Sequence, residues 1–250
     1  MRFFNRACAR PLLAAAVLST PAFAQEDAFP GPGGEFSLSG GISVVSDYRF
    51  RGISVSGEEI ALQPTLTLSH ESGLYAGVWG STMPDNPLTG QFEFDLYGGY
   101  ATQIASGTSV DVGMIWYSYP GNRAPAGSAD YVEFIGKLSH DLGPVSATGT
   151  IAYAPGQRSM GDGWYYSFGM ASGIPNTPVT LRAGVGYSDG SLAPTAPGVD
   201  YFDWSVGASY VVGPATLSAR YIDTDVKKAG VQAIDTLYDP TVIFSLGVSF

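Results

Sequence analysis

Cysteine is nearly missing: the 250 residues contain one, Cys8. Histidine is limited to His70 and His140, and Lys plus Arg number 12 against 22 acidic residues. Each shortage excludes a class of function. A single thiol excludes a disulfide framework, and Cys8 lies in a segment expected to be cleaved, so cysteine chemistry goes with it. The deficit of Lys and Arg excludes nucleic acid as a partner, because phosphate binding needs basic clusters. No phosphate loop, zinc spacing or calcium-loop pattern is present, so no cofactor and no metal site is expected. No G-x-S-x-G follows residue 24, and no set of nucleophile, base and orienting group assembles from the sequence. Ser69 and Ser139 adjoin the two histidines, but neighbours in a strand point to opposite faces. An enzyme is therefore not expected.

The chain begins "MRFFNRACARPLLAAAVLSTPAFAQ". Arg2, Arg6 and Arg10 precede an apolar run from Pro11 to Leu18, and Ala22-Phe23-Ala24 supplies an A-x-A site. This is a secretory signal peptide, residues 1–24. The apolar run is far shorter than the ~20 residues of a membrane-spanning helix. Loss of three arginines leaves nine basic against 22 acidic side chains, a formal charge of −13. Residues 25–35, "QEDAFPGPGGE", read as a flexible periplasmic leader.

Glycine, at 33 residues, and aromatics, at 13 %, are abundant. From residue 36 to residue 250, segments of period two recur, and no helical period competes. They lie near 36–50, 60–70, 74–83, 91–103, 110–119, 131–140, 145–154, 164–172, 179–187, 201–212, 215–223 and 241–250. Nearly every proline after the leader falls between these segments, as a residue unable to donate to a ladder should; Pro64 is the exception. Short links such as "ESG" and "SGT" alternate with longer ones such as "GISVSGEE" and "TDVKKAGVQAIDTLYDP". An even strand count with short turns at one end and long loops at the other describes an all-β, antiparallel, up-and-down outer-membrane barrel of about 12 strands.

The two faces of each segment differ. Residues 202–210 alternate Phe202, Trp204, Val206, Ala208 and Tyr210 with Asp203, Ser205, Gly207 and Ser209. On the apolar parity, aromatics collect near the long-loop ends, including Tyr48, Phe50, Phe92, Trp116, Trp164 and Tyr221, with a second band of Phe36, Tyr100, Tyr210 and Phe250 at the short-turn ends. Two aromatic belts around aliphatic residues fit a bilayer. The last segment ends at Phe250 with apolar residues at alternate positions, the form that barrel-assembly machinery reads.

"SVVSDYRFRGIS" (43–54) followed by "HESGLYAGVWGS" (70–81) resembles the TorF-type porin family of Gram-negative bacteria. "FEFDLYGGY" (92–100), "MIWYSYPG" (114–121) and "DLGPVSATGTIAYAPG" (141–156) are similar more loosely. The resemblance implies an outer-membrane barrel with a channel role, and no catalytic residues.

The inward parity carries the candidate lumen charges Asp47, Arg49, Arg51, Glu93, Asp95, Asp111, Glu133, Lys137, Arg182, Asp203 and Arg220. Six acids and five bases would line a polar path with a transverse field, or close it with their own salt bridges. Acids also dominate the long loops, where Glu58, Glu59 and Asp85 stand among many others against Arg123, Arg158, Lys227 and Lys228. An acidic mouth concentrates cations. The expectation is a porin-like channel for passive diffusion of small solutes, cation-biased, in contact with outer-membrane lipid and lipopolysaccharide. The alternative is a closed barrel acting through its loops as scaffold, adhesin or receptor.

Overall fold

The computed structural model describes residues 35–125, 129–156, 161–189 and 200–250. The expected signal peptide, the leader up to residue 34 and Arg158 lie outside the described residues. The elements, in chain order, are β1 (Phe36–Val45), β2 (Arg49–Phe50), β3 (Ile53–Ser54), β4 (Ala61–His70), β5 (Leu74–Asn86), β6 (Gly90–Ala105), β7 (Thr108–Ser118), β8 (Tyr131–Leu142) and β9 (Val145–Ala154). They continue with β10 (Gly163–Gly173), β11 (Val179–Asp189), β12 (Tyr201–Val212), β13 (Ala215–Thr224), a single turn of helix α1 (Gln232–Asp235), a 3₁₀ turn at Thr236–Tyr238, and β14 (Thr241–Ser249).

Twelve of the strands form one closed barrel in which each pairs with its sequence neighbours, and β1 is bonded to both β4 and β14. Every pairing is antiparallel. Closure is made by Gly41–Val45 against Ser249–Ser245, extended by reciprocal backbone bonds between Gly40 and Phe250 at 2.9 and 3.1 Å. Closure pairs both edges of every wall strand.

Burial runs opposite to that of a soluble sandwich. In β4, Leu62, Leu66 and Leu68 are exposed while Gln63, Thr67 and Ser69 are buried. In β12, Phe202, Trp204, Val206 and Tyr210 are exposed while Tyr201, Asp203 and Ser205 are buried. A water-soluble chain hides its apolar face; this one hides its polar face. That arrangement is stable only where the apolar face meets hydrocarbon.

Pro64 lies inside β4, opposite Ile42. Lacking an N–H, it cannot donate to either neighbouring strand. β4 pairs with β1 along its whole length, but with β5 only over Thr65–Ser69. Beyond the proline a side chain takes over, as the Leu62 amide donates to Thr82 Oγ1 at 3.0 Å.

The first segment differs most from the sequence expectation. Its strand ends at Val45 rather than at residue 50. Ser46 holds both sides of the departure: its amide donates to Phe244 O at 2.9 Å, and its hydroxyl accepts from the Phe244 amide at 3.0 Å. The chain then turns inward. Residues 46–60 form a folded insert whose core is the hairpin β2–β3, in register Arg49 opposite Ser54 and Phe50 opposite Ile53. Arg51 and Gly52 make its turn with φ of 50° and 85°, the left-handed pair that a tight two-residue hairpin requires. Tyr48 and Phe50 are buried inside the barrel, not in the outer aromatic belt.

Candidate functional site

The insert is organised by one carboxylate. Asp47 Oδ1 accepts from Ser54 and Ser56 hydroxyls at 2.6 and 3.0 Å, and Oδ2 accepts from Arg49 Nε at 2.6 Å. Arg49 Nη1 donates to Gly52 O at 3.0 Å and to Asp239 O, in the last long connection, at 2.7 Å. The Tyr48 amide donates to Ser56 Oγ at 2.8 Å. A buried charge needs neutralising hydrogen bonds on all sides; Asp47 and Arg49 neutralise each other through one, and serines and backbone carbonyls supply the rest.

The hairpin tip crosses the lumen to the far wall. A Cβ at Gly52 would lie 2.2 Å from Thr224 Cγ2 of β13 and 2.9 Å from Asp203 Cβ of β12, so only glycine fits this approach. Arg51 reaches β8, donating from Nη2 to both oxygens of Glu133 at 2.7 and 2.9 Å. Its guanidinium lies over the rings of Phe50 and Tyr165, 4.6 and 4.3 Å from their centroids. Phe50 meets Tyr117 of β7 edge-on at 5.9 Å, and Tyr48 meets Trp79 of β5 at 5.3 Å. Ile53 packs with Tyr201, Val226 and Tyr238. The insert thus touches strands around the whole wall and fills the lumen at the long-loop end.

One wall beside the insert is acidic. Glu93 and Asp95 project from β6 and Glu133 from β8, all buried. Tyr117 donates to Glu133 at 3.0 Å, and Tyr119 donates to Glu93 at 3.4 Å. Tyr117 and Tyr131 stack at 4.4 Å between these carboxylates. Across the ring, each five strand positions from β6, stand Arg182 of β11 and Arg220 of β13. Both face Gly207 of β12 in the strand register, so they share one level, half-buried. Asp203 accepts from Tyr165 at 3.1 Å.

The short-turn half of the lumen has a different lining. Ser39, Thr67, Ser69, Ser139, Thr148, Ser209, Ser218 and Ser245 alternate inward. Its large rings lie along the wall rather than across it. Tyr75 rests on Gly99 and Gly113 to donate to Asp111 at 2.7 Å; Cβ atoms there would come within 2.6 and 3.1 Å of its hydroxyl. Tyr97 rests on Gly77 and bonds Thr67 at 2.5 Å. Lys137 is 3.7 Å from Asp111, directly opposite it in the register.

The eleven candidate charges therefore fall into three groups. Asp47, Arg49 and Arg51 belong to the insert, not to a wall strand. Glu93, Asp95, Glu133 and Asp203 surround the insert. Asp111, Lys137, Arg182 and Arg220 stand on the wall nearer the short turns. The sequence reading missed the inward tyrosines Tyr117, Tyr131, Tyr165 and Tyr201, all buried. Their signal was available for Tyr165, which sits between Trp164 and Tyr166 and must face opposite to both.

Many loop acids are structural. Asp162 accepts from the Gly156 amide and Tyr153, Asp225 from the Phe202 amide, and Asp235 from the Ala229 and Gly230 amides. Asp239 binds Lys228 and holds its ammonium above the ordinary value. His140 bonds Thr108 at 2.8 Å. His70 bonds Ser72 at 2.8 Å, where the Ser72 amide also donates to the ring and Ser72 Oγ accepts from Leu74, so the serine caps a turn.

A family model described as "Bacterial protein of unknown function (Gcw_chp)" matches residues 30–250. No curated protein matches the chain in sequence. Among solved structures, the KdgM porin in complex with disordered oligogalacturonate is similar with a TM-score of 0.56 at 8 % identity, covering 85 % of this chain and 97 % of that one. The NanC porin is similar with a TM-score of 0.53 at 15 % identity, covering 86 % and 99 %. At such identities the likeness is one of fold: a closed antiparallel barrel of the outer-membrane porin kind.

Proposed function

This chain belongs to the Gcw_chp family of bacterial proteins of unknown function, and we propose that it is a porin-like channel for passive diffusion of small solutes across the outer membrane. The observation that carries this reading is the inverted burial: apolar side chains face out, and the enclosed face carries hydroxyls, carboxylates and guanidiniums beside the apolar contacts of the insert. At the periplasmic end, Tyr75 and Tyr97 lie against glycines of the wall beside inward hydroxyls, and this reading runs the path along them. At the outer end, where the insert fills the lumen, the path in this reading runs between the insert and the charged walls of β6 and β8. The acids on β6 and β8 at this end, and the arginines on β11 and β13 nearer the short turns, set charges of opposite sign on opposite sides of the path.

The channel is cation-biased in this reading. Arg49 and Arg51 are committed to Asp47 and Glu133, while Glu93 and Asp95 each keep an oxygen without a hydrogen-bond partner. The oligogalacturonate of the KdgM complex is polyanionic, and this lumen, with acids in excess, does not favour such a solute. The likeness of residues 43–54 and 70–81 to TorF-type porins agrees with a channel role. The strand ending at Phe250 serves as the signal to the assembly machinery, and lipopolysaccharide surrounds the loops.

The test is planar-bilayer recording of the refolded protein. Discrete conductance steps, with reversal potentials in a salt gradient of cation-selective sign, are expected. Absence of steps at every voltage sinks the channel and favours a second reading, a closed barrel acting through its loops. The specific observation behind that second reading is the insert, whose side chains reach the wall on all sides.

A further inference from the structure

Glu93 and Asp95 are two residues apart on β6, so both side chains point inward, about 7 Å apart along the strand. They are 2 % and 6 % exposed. Tyr119 donates to Glu93 Oε1, but Glu93 Oε2 and Asp95 Oδ1 are buried without any hydrogen-bond donor. The charges that act on Asp95 are those of Glu93 and Glu133, both of its own sign. The nearby arginines do not compensate. Arg51 is held by Glu133, and Arg49 by Asp47, Gly52 and Asp239. Two adjacent buried carboxylates, each with an oxygen that lacks a donor, are costly unless a positive charge joins them.

We propose that Glu93 and Asp95 form a binding site for a small monovalent cation, an alkali ion or the ammonium head of a permeating solute. The surroundings fit that class. Tyr48 and Tyr119 reach Glu93, and Tyr117 and Tyr131 lie in the field of Asp95. Phenol oxygens and ring faces are weak ligands that suit a partly dehydrated monovalent ion. A divalent metal needs more: among the described residues no three acidic, histidine or cysteine side chains converge as ligands. The inference deepens the channel reading and rests on it only for how the cation arrives.

The test uses the full-length protein refolded in detergent, with thermal unfolding measured at equal ionic strength in chlorides of potassium, methylammonium and tetrabutylammonium. The wild type is expected to melt higher in one or both of the first two salts than in the third, whose cation is too large for the site. Stabilisation by potassium alone identifies an alkali site; by methylammonium alone, an ammonium site. The Glu93→Gln/Asp95→Asn variant should lose the difference, and the control Asp203→Asn should keep it. Equal melting of the wild type in all three salts overturns the proposal, as does a difference that survives the double substitution. Bilayer recordings of the same variants separate the two readings. Conductance steps whose cation-to-anion permeability ratio is unchanged by the double substitution also overturn it. If no variant conducts but the salt-specific melting holds, the channel reading falls and the site stands.

Discussion

The two halves of the lumen are built from the same wall strands, yet they solve opposite problems. Toward the long loops the interior is filled: the insert brings Tyr48, Phe50 and Ile53 into contact with Trp79, Tyr117 and Tyr201. Charge there is buried, partly paired as in Arg51–Glu133 and partly left with free oxygens as in Glu93 and Asp95. Toward the short turns the interior is lined: hydroxyls alternate, tyrosines lie flat, and the pair Asp111–Lys137 is only half-buried and 3.7 Å apart. Filled regions respond to substitution through stability, lined regions through selectivity. The contrast shows how one alternating wall can enclose both a packed half and a hydroxyl-lined half.

The largest effect that would break this contrast is loss of the insert's anchor. Glu133→Ala leaves Arg51 buried without its partner, a loss of about 3–5 kcal/mol. The insert should come free of the wall, so limited proteolysis should cut between residues 46 and 60 and single-channel conductance should rise. An uncut insert with unchanged conductance would mean that packing alone holds it. A smaller effect is expected from Gly186→Ala. Its Cβ would fall 2.1 Å from the Tyr165 hydroxyl, displacing the ring that carries Arg51 and bonds Asp203. Overpacking of this kind costs about 1–3 kcal/mol, readable as a lower urea midpoint for the folded barrel. The smallest is expected from Asp111→Asn in the lined half. It weakens two charge-assisted contacts, to Tyr75 and Lys137, by about 1–2 kcal/mol in total, and should shift the reversal potential toward anions with only a small fall in the urea midpoint. A large midpoint shift here would erase the distinction between the halves.

The wall was legible because its rule is local. Alternation at β4 or β12 needs only each residue's neighbours, and bilayer and lumen impose the same rule on every strand. The insert was not legible for the same reason. "DYRFR" keeps period two beyond Ser46, so parity alone extends the strand to residue 50, while the chain has already left the wall. What marks the departure is Arg51-Gly52, an X-Gly pair between "RF" and "IS" that fits a two-residue turn. Its cue is weak, since arginine is an unusual first residue for a left-handed turn. The partners that make that turn worthwhile, Glu133 and Tyr165, lie far along the chain. The lumen charges were legible as a set, but which of them pair depends on ring closure. Arg51 meets Glu133 only because β1 and β8 face each other across the barrel.

The position of the insert near the start of the chain also has a consequence in time. Its anchors lie much later: Glu133 is 82 residues beyond Arg51, and Asp239 is 190 beyond Arg49. Neighbouring wall strands can zip together through short turns, each contact local. The insert has no seat until β8, β10, β12 and the final connection have all arrived. Contacts of such long sequence separation form slowly. Closure of the ring is longer-range still, with Val45 opposite Ser245, so the insert is expected to seat late, together with closure of the barrel.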